Sequence, residues 1–228
     1  MAKGLQVAID GPASAGKSTV AKKVAKKFGY VYCDTGAMYR SVTWAALQAN
    51  LSMDDKEAIV ELAQKINISF QPGDPEQRVF VDNHEVTKEI RSNEVAENVS
   101  AVAAIPEVRS EMVQEQRKIA GQGGIVMDGR DIGTTVLPNA PVKIFLVASA
   151  YERARRRFEE NKAKGIATST LEELQKAIEL RDQKDSTRKV SPLTKASDAI
   201  EIDSTHLTIN EVVDEISKII EKKANNLS

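Results

Sequence analysis

The sequence is poor in the residues that would indicate a disulfide scaffold or a metal centre. Its 228 residues include one cysteine and two histidines. A single cysteine, Cys33, excludes an internal disulfide and fits a reducing compartment, and we interpret it as a small buried hydrophobic residue in a strand. His84 and His206 have no ligand-like partners nearby in the sequence. A zinc site or another metal-dependent hydrolytic centre therefore has no support.

Long apolar runs and a strong net charge are also missing. No apolar run approaches the ~18 residues that a membrane-spanning helix needs. A strand is predicted within a few residues of the N-terminus, so we expect no signal peptide, no membrane association and a cytoplasmic location. The formal net charge is -1, which argues against nucleic acid as a partner. Apolar residues make up 41% and charged residues 29%, as in ordinary folded domains.

Charge is nevertheless unevenly distributed along the chain. Residues 46–90 contain four Lys or Arg against nine Asp or Glu, whereas residues 151–195 contain twelve against eight. A basic region in a nearly neutral chain suits a small anionic ligand better than a polyanion.

Apolar strands alternate with amphipathic helices along most of the chain. Strands are predicted at 5–10, 30–33, 125–128, 142–147 and 199–202, and helices at 17–28, 34–49, 54–66, 88–121, 150–164, 170–187 and 208–223. This alternation predicts an α/β fold with a parallel sheet. Between about 66 and 90, short strands separated by a turn rich in Pro, Gly and Asp predict a small antiparallel insert. No internal repeat or long linker is present, so we expect a single domain over 1–228.

A phosphate-binding loop follows the first predicted strand and opens the first predicted helix. It consists of Gly11, Pro12, Ala13, Ser14, Ala15, Gly16, Lys17, Ser18 and Thr19. The segment matches G-x-x-x-x-G-K-[ST], in which glycines let successive backbone N–H groups surround a phosphate, and the helix adds its positive N-terminus. Lys17 would place its charge on the β- and γ-phosphates, and the Ser18 hydroxyl would ligate Mg²⁺. The pattern predicts nucleoside triphosphate binding.

The P-loop does not by itself identify the acceptor, and two classes of protein remain. A GTPase-type switch needs the guanine-reading sequence N-K-x-D, which the chain lacks. Its nearest string, DQKD at 182–185, lies inside a predicted charged helix. A kinase of a small molecule fits better. A phosphate acceptor with a second pKa near ~6 is already mostly dianionic at neutral pH and needs no general base, which agrees with the scarcity of histidine.

Arginines at predicted strand and helix ends are candidates for binding the phosphates. They are Arg40, Arg109, Arg130, Arg153, Arg156, Arg157, Arg181 and Arg188. Arg130 and Asp131 follow a buried strand, where the carboxyl ends of parallel strands face a ligand crevice. Arg153, Arg156 and Arg157 share one helix face, and Arg181 and Arg188 share another with Asp185, at steps of three and four residues. Arg40 and Arg109 each lie in a helix of their own. Taken singly, these groups also fit a loop salt bridge, a solvated helix face or an exposed ion pair.

Six segments together resemble the bacterial cytidylate kinase family over essentially the whole chain. They are GPASAGKST, DTGAMYR at 34–40, EIRSNEV at 89–95, DGRDIGT at 128–134, PVKIFL at 141–146 and RDQKDSTR at 181–188. The resemblance implies an α/β P-loop nucleoside monophosphate kinase fold with a five-stranded parallel sheet and helices on both faces. It also implies that the insert lies beside the acceptor site and that a mobile helical lid spans about 151–167.

The resemblance implies Mg²⁺-dependent phosphoryl transfer from ATP to CMP and dCMP by a monomer. The residues that it assigns to CMP are Thr35, Arg40, Ser100, Arg109, Arg130, Asp131, Arg181, Asp185 and Arg188. Arg40, Arg130 and Arg188 would hold the acceptor phosphate. Ser100, Arg109 and Asp131 would read cytosine. Arg181 and Asp185 would hold the ribose.

A catalytic group is implied in the same way. Its members are Lys17, Arg130, Arg153, Arg157 and Arg188. Arg153 and Arg157 would close over the donor phosphates when both substrates are bound. At position 184 the chain has a lysine, Lys184, where the resemblance leads us to expect an arginine just as readily.

Overall fold

The computed structural model of the protein describes residues 4–71, 73, 77–121, 123–163, 165 and 169–226. The chain divides into two compact units. One comprises Met1–Cys33 and Ala120–Ser228, and the other comprises Asp34–Ile119. Among the described helices, none is both long and apolar enough to cross a membrane.

The strands lie close to the predicted positions. They are β1 (Gln6–Asp10), β2 (Val31–Asp34), β3 (Ile68–Gln71), β4 (Arg78–Val81), β5 (His84–Glu85), β6 (Ile125–Gly129), β7 (Val142–Val147) and β8 (Ile200–Asp203). The prediction of strands alternating with helices is therefore confirmed. Cys33 is a buried residue of β2, as the sequence indicated.

The α-helices also follow the prediction, with one long stretch subdivided. They are α1 (Lys17–Phe28), α2 (Thr35–Gln48), α3 (Lys56–Lys65), α4 (Asn93–Val102), α5 (Pro106–Ala120), α6 (Ala150–Ala163), α7 (Leu171–Thr187) and α8 (Ile209–Asn225). The stretch predicted as helical over 88–121 is a 3₁₀ turn, Glu89–Arg91, followed by α4 and α5. A π-helical turn at Ile132–Val136 was not predicted.

Five parallel strands form the sheet of the first unit, in the order β2-β6-β1-β7-β8. β1 is central, with Val7 paired to both Val126 and Val142. One face of the sheet packs against α1 and α8, and the buried side chains there include Ile9, Val24 and Ile216. This arrangement places the carboxyl ends of β1 and β6 next to each other, where the P-loop and the 128–134 segment begin.

The helix after the P-loop begins and ends at glycines with positive φ. Gly16 has φ 87° and Gly29 has φ 66°, and the backbone N–H of Gly29 donates to the carbonyls of the last turn of α1. Left-handed geometry of this kind costs a glycine little, because no Cβ meets the preceding carbonyl. The predicted stop at Gly29 is therefore confirmed.

The second unit contains the predicted antiparallel insert, with strand order β3-β4-β5. Its core joins Val79 and Val81 of β4 to Ala37 of α2, and Trp44 of the same helix packs against it. The Trp44 ring also stacks on His84, with ring centroids 5.9 Å apart. The predicted turn between β3 and β4 includes residues 72 and 74–76, which lie outside the described residues.

Candidate active site

The P-loop is held in a conformation that its residue types dictate. A Cβ on Gly11, whose φ is 150°, would lie 2.0 Å from the carbonyl oxygen of Leu146 in β7, so only glycine fits. Ser14 has φ 59°, which is unusual for a non-glycine residue. The Lys17 ammonium donates to the carbonyl oxygen of Pro12 at 2.6 Å. The loop therefore curls back on itself and buries its lysine.

Electrostatics around Lys17 connect the P-loop with the arginines of the 128–134 segment and α7. Burial lowers the pKa of Lys17 well below its ordinary value, and the charges of Arg130 and Arg181 act in the same direction. Asp128 and Asp10 oppose this shift. A phosphate anion near Lys17 would relieve the crowding of cations, so this region is suited to bind the phosphates of a small anionic ligand.

Asp128 and Ser18 place a carboxylate and a hydroxyl oxygen next to each other. The Ser18 hydroxyl donates to Asp128 Oδ2 at 2.8 Å, and the Tyr32 hydroxyl donates to Asp128 Oδ1 at 2.8 Å. A hydroxyl and a carboxylate at the foot of a P-loop fit Mg²⁺, which binds oxygen ligands and keeps several waters and substrate phosphate oxygens. Sequence reasoning named Ser18 for this role and passed over Asp128, although Asp128 ends a buried strand.

Asp10 joins the start of the P-loop to the segment that follows β6. Its carboxylate accepts hydrogen bonds from the backbone N–H groups of Ile132 at 2.8 Å and Gly133 at 2.7 Å. Burial raises the pKa of Asp10 to about 6, although these two N–H groups and the charge of Lys17 act in the opposite direction. No local pattern predicts this contact, since the partners are more than a hundred residues apart.

Four of the predicted acceptor residues form two crossed ion pairs in the first unit. Arg130 Nε donates to Asp185 Oδ2 at 3.0 Å, and Arg188 Nη2 donates to Asp131 Oδ1 at 3.5 Å. One pair joins the 128–134 segment to α7, and the other joins it to Arg188, the residue that follows this helix. The structure thus brings these four residues together. Asp185 is paired with Arg130, which is 55 positions away in the sequence, and it also lies one helical turn from Arg181.

The other predicted acceptor residues lie in the second unit. Arg40 donates to Asp34 Oδ2 at 2.8 Å, while Asp34 Oδ1 caps α2 by accepting from the N–H of Ala37 at 2.9 Å. Thr35 is buried at the start of the same helix, next to the capping residue.

Arg109 and Ser100 belong to the helical part of the second unit. Arg109 is only 2% exposed, donates to the carbonyl oxygen of Ala103 at 3.1 Å, and lies over the ring of Tyr39 at 5.2 Å. Ser100 is half-buried on α4. A buried arginine held by a backbone carbonyl and an aromatic ring is fixed in direction, as a residue that reads a base needs to be.

The arginines of α6 have different surroundings, although the sequence placed them on one helix face. Arg153 is buried and donates to the backbone of the P-loop at Ala13 and to Asp182. Arg156 bonds Glu152 and the backbone of Ser204. The side chain of Arg157 is 45% exposed, and its nearest acidic partner is Glu160 at 3.6 Å.

The structure describes only part of the predicted lid, 151–167. Its first part, 151–163, belongs to α6, and residues 164, 166 and 167 lie outside the described residues.

Lys184 is exposed on α7. In the part of the chain that the structure describes, no cluster of three His, Cys, Asp or Glu could hold a metal ion.

A protein-family model and several related proteins match this chain over nearly its whole length. The family model for cytidylate kinase matches residues 7–222. A cytidylate kinase of Limosilactobacillus reuteri (strain DSM 20016) is 70% identical over 228 residues, which is 100% of both chains. One of Ligilactobacillus salivarius (strain UCC118) is 63% identical over 98% of this chain and 99% of that chain.

A solved structure of an uncharacterized protein from Eubacterium ventriosum ATCC 27560 is similar in fold. It has a TM-score of 0.52 and 13% identity over 96% of this chain and 99% of that chain.

Proposed function

The chain belongs to the cytidylate kinase family and transfers a phosphoryl group to CMP, and we propose that its donor is ATP with Mg²⁺ and that dCMP is a second acceptor. The observation that carries this proposal is the position of the intact P-loop beside the two crossed ion pairs. The donor loop and the 128–134 segment, which carries Arg130 and Asp131, both begin at the carboxyl edge of one parallel sheet, where ligands of such sheets bind.

The P-loop supplies the donor side. Its backbone N–H groups and the N-terminus of α1 hold the phosphates. Lys17 neutralises charge that grows between the β- and γ-phosphates during transfer. Ser18 and Asp128 would hold Mg²⁺, which supplies positive charge to the phosphate oxygens. These roles need no proton transfer by the protein, since the acceptor phosphate is already ionised near neutral pH.

The crossed ion pairs supply the acceptor side. We propose that the phosphate of CMP takes Arg130 and Arg188 from their carboxylate partners. The carboxylates thereby released, Asp185 and Asp131, then accept hydrogen bonds from the ribose hydroxyls and the cytosine amine. A nucleotide carries both an anion and hydrogen-bond donors, so it replaces both partners of each pair. A bare phosphate or a bare nucleoside would leave half of the set unpaired, which is costly for buried charges.

The remaining predicted residues complete this proposal. Arg40 is a third ligand of the acceptor phosphate, Ser100 and Arg109 take part in reading cytosine, and Arg181 orients the ribose beside Asp185. Thr35 lines the CMP site. Arg157, which is exposed on α6 and has a long contact with Glu160 at 3.6 Å, moves over the donor phosphates together with the lid at 151–167, while Arg153 acts from beside the P-loop.

The experiment that tests the function measures ADP formation from ATP and Mg²⁺ with several acceptors. CMP and dCMP should support rapid turnover, UMP slower turnover, and shikimate and gluconate none. Robust GTP hydrolysis that CMP does not stimulate would contradict the proposal and favour a GTPase-type switch. Sedimentation with and without both substrates checks that the enzyme is a monomer, and cell fractionation checks that it is cytoplasmic.

A further inference from the structure

Both backbone polar groups of Ala13, in the middle of the P-loop, are bound by one ion pair. Its N–H donates to Asp182 Oδ1 at 3.1 Å, and its carbonyl oxygen accepts from Arg153 Nη1 at 2.9 Å. Arg153 Nη1 also donates to Asp182 Oδ2 at 2.6 Å, which closes the arrangement. Arg153 Nε donates to the carbonyl oxygen of Ala148 at 2.9 Å, so the guanidinium is fixed from the end of β7 as well.

The P-loop needs such support at this position. Residues 11–16 belong to neither a helix nor a strand, so no regular hydrogen-bond ladder fixes them. The next residue, Ser14, has φ 59°, a left-handed conformation that a non-glycine residue adopts only when its surroundings impose it. The loop is fixed at one end by the close approach of Gly11 to Leu146 and at the other by α1. Ala13 lies between these two points.

Burial makes the ion pair a specific and directional contact. The side chain of Arg153 is 7% exposed and that of Asp182 is 21% exposed, so water screens the pair less than it screens a surface pair. The two partners come from different helices, Arg153 from α6 and Asp182 from α7. Removal of either partner leaves the other buried without its counter-charge, and Ala13 then loses a hydrogen bond as well.

We infer that Arg153 and Asp182 form a clamp that fixes the P-loop in its phosphate-binding conformation, and that Arg153 influences donor binding through Ala13 and Asp182. Asp182 is thus a positioning residue for the donor site. This inference rests on the proposed function insofar as the P-loop holds the donor, and it assigns to Arg153 an indirect action on the donor phosphates. The sequence placed DQKD at 182–185 in a charged helix and gave Asp182 no role.

The test measures the affinity of the full chain for a non-hydrolysable ATP analogue with Mg²⁺, by titration calorimetry. We expect Asp182→Ala and Arg153→Met each to weaken binding about tenfold, as loss of a partly buried charged contact does. The double variant should bind no more weakly than the weaker single variant, because the two residues act as a unit. Multiplied losses in the double variant would overturn the inference, since Arg153 would then contact the donor independently.

Conservative and control variants separate the clamp from general stability. Asp182→Asn keeps an oxygen for the N–H of Ala13 and presents an amide to Arg153, so it should fall between wild type and Asp182→Ala. Glu179→Gln, an exposed change on the same helix that keeps its hydrogen-bond acceptor for Gln175, should bind as wild type. The melting temperature of each variant is measured in parallel. Equal affinity of Asp182→Asn and wild type would also count against the clamp.

Turnover distinguishes failure of the clamp from failure of the proposed function. The KM for ATP should rise in Asp182→Ala, with the KM for CMP changed less than about twofold, since Asp182 bonds the donor loop and Arg153 rather than the residues proposed to bind CMP. If wild type shows no turnover that CMP stimulates, the proposed function fails, and the calorimetric comparison still decides on the clamp. If wild type is active and both KM values rise equally in the variant, the clamp alone is contradicted.

Discussion

The donor side and the acceptor side of the first unit hold their cations in different ways. On the donor side, Lys17 and Arg153 each donate to a backbone carbonyl of the P-loop. On the acceptor side, Arg130 and Arg188 are each paired with a carboxylate that we propose to bind CMP. The donor loop is therefore shaped by the protein itself before the substrate arrives. On our proposal, the acceptor set exchanges partners when CMP binds.

This difference predicts that donor-side changes act mainly on the chemical step or on donor affinity, and that acceptor-side changes act on CMP. Four experiments can break or sharpen the contrast.

The largest effect is expected from Lys17→Ala. We propose that its ammonium stabilises charge that grows between the β- and γ-phosphates, so kcat should fall about 10²–10³-fold, a loss typical of removing one electrostatic ligand of a transition state. The affinity for CMP should change little, and steady-state kinetics with both substrates varied measures this. Lys26→Ala, on the exposed face of the same helix, is the control. A kcat near that of wild type would remove Lys17 from the catalytic group.

Asp185→Ala tests the exchange of partners on the acceptor side. The variant loses the ribose acceptor and leaves Arg130 without its carboxylate, so we expect the KM for CMP to rise about tenfold to a hundredfold. The KM for ATP should stay close to wild type. Gln183→Ala, an exposed neighbour on α7, should leave both values unchanged. Unchanged kinetics with CMP would reduce Asp185 to a structural ion pair.

Asp131→Ala tests the choice of base. A carboxylate accepts from the cytosine amine and repels the uracil carbonyl, so its loss should harm CMP more than UMP. We expect the ratio of kcat/KM for CMP to that for UMP to fall about tenfold, as removal of one matched buried hydrogen bond predicts.

The structure also pairs Asp131 with Arg188, and this suggests the competing outcome. If Asp131 only orients that arginine, both substrates suffer equally and the ratio is unchanged. Asp131→Asn, whose amide can donate to uracil, should lower the ratio in the same direction.

The smallest effect concerns Asp10 and pH. Burial raises its pKa to about 6 from an ordinary 3.8, so between these values the folded state binds more protons at this site than the unfolded state. Its contribution to the free energy of unfolding therefore falls as pH rises through this window, with a slope of at most about 1.4 kcal/mol per pH unit. Asp10→Asn should lack this contribution. Urea unfolding at pH 4, 5, 6 and 7 measures it, and parallel curves for the two proteins would contradict the assignment.

Much of the fold could be predicted because its signals are local. The helical spacing of Val20 and Val24 predicts α1, and Gly29 predicts where this helix ends. The apolar run at 142–147 predicts β7, and the structure confirms all three predictions. The P-loop was identified in the same way. The π-helical turn at Ile132–Val136 was missed because its backbone is held by Asp10, far away along the chain.

The site was predictable in its residue types and less so in its contacts. The sequence predicted Arg130 and Asp185 as site residues. It did not predict their ion pair, because that contact depends on α7 packing near the carboxyl end of β6. The spacing of Arg181 and Asp185 indicates only what lies on one helix face. We assigned roles to Asp128 and Asp182 from their contacts with Ser18 and Ala13, which lie 110 and 169 residues away along the chain. Helix and strand periodicity does not predict contacts between residues so far apart in the sequence.

Helix α7 carries Asp182, which we assign to the donor loop, and Asp185, which we propose to bind CMP, only three residues apart. Asp182 faces the P-loop, and Asp185, three residues on, faces Arg130. Because an α-helix turns about 100° per residue, one residue inserted between them would rotate one function away from its partner while leaving the other in place. The length of this short stretch is thus more constrained than its composition, and the exposed residues between, Gln183 and Lys184, act mainly as spacers that keep the two functions in register.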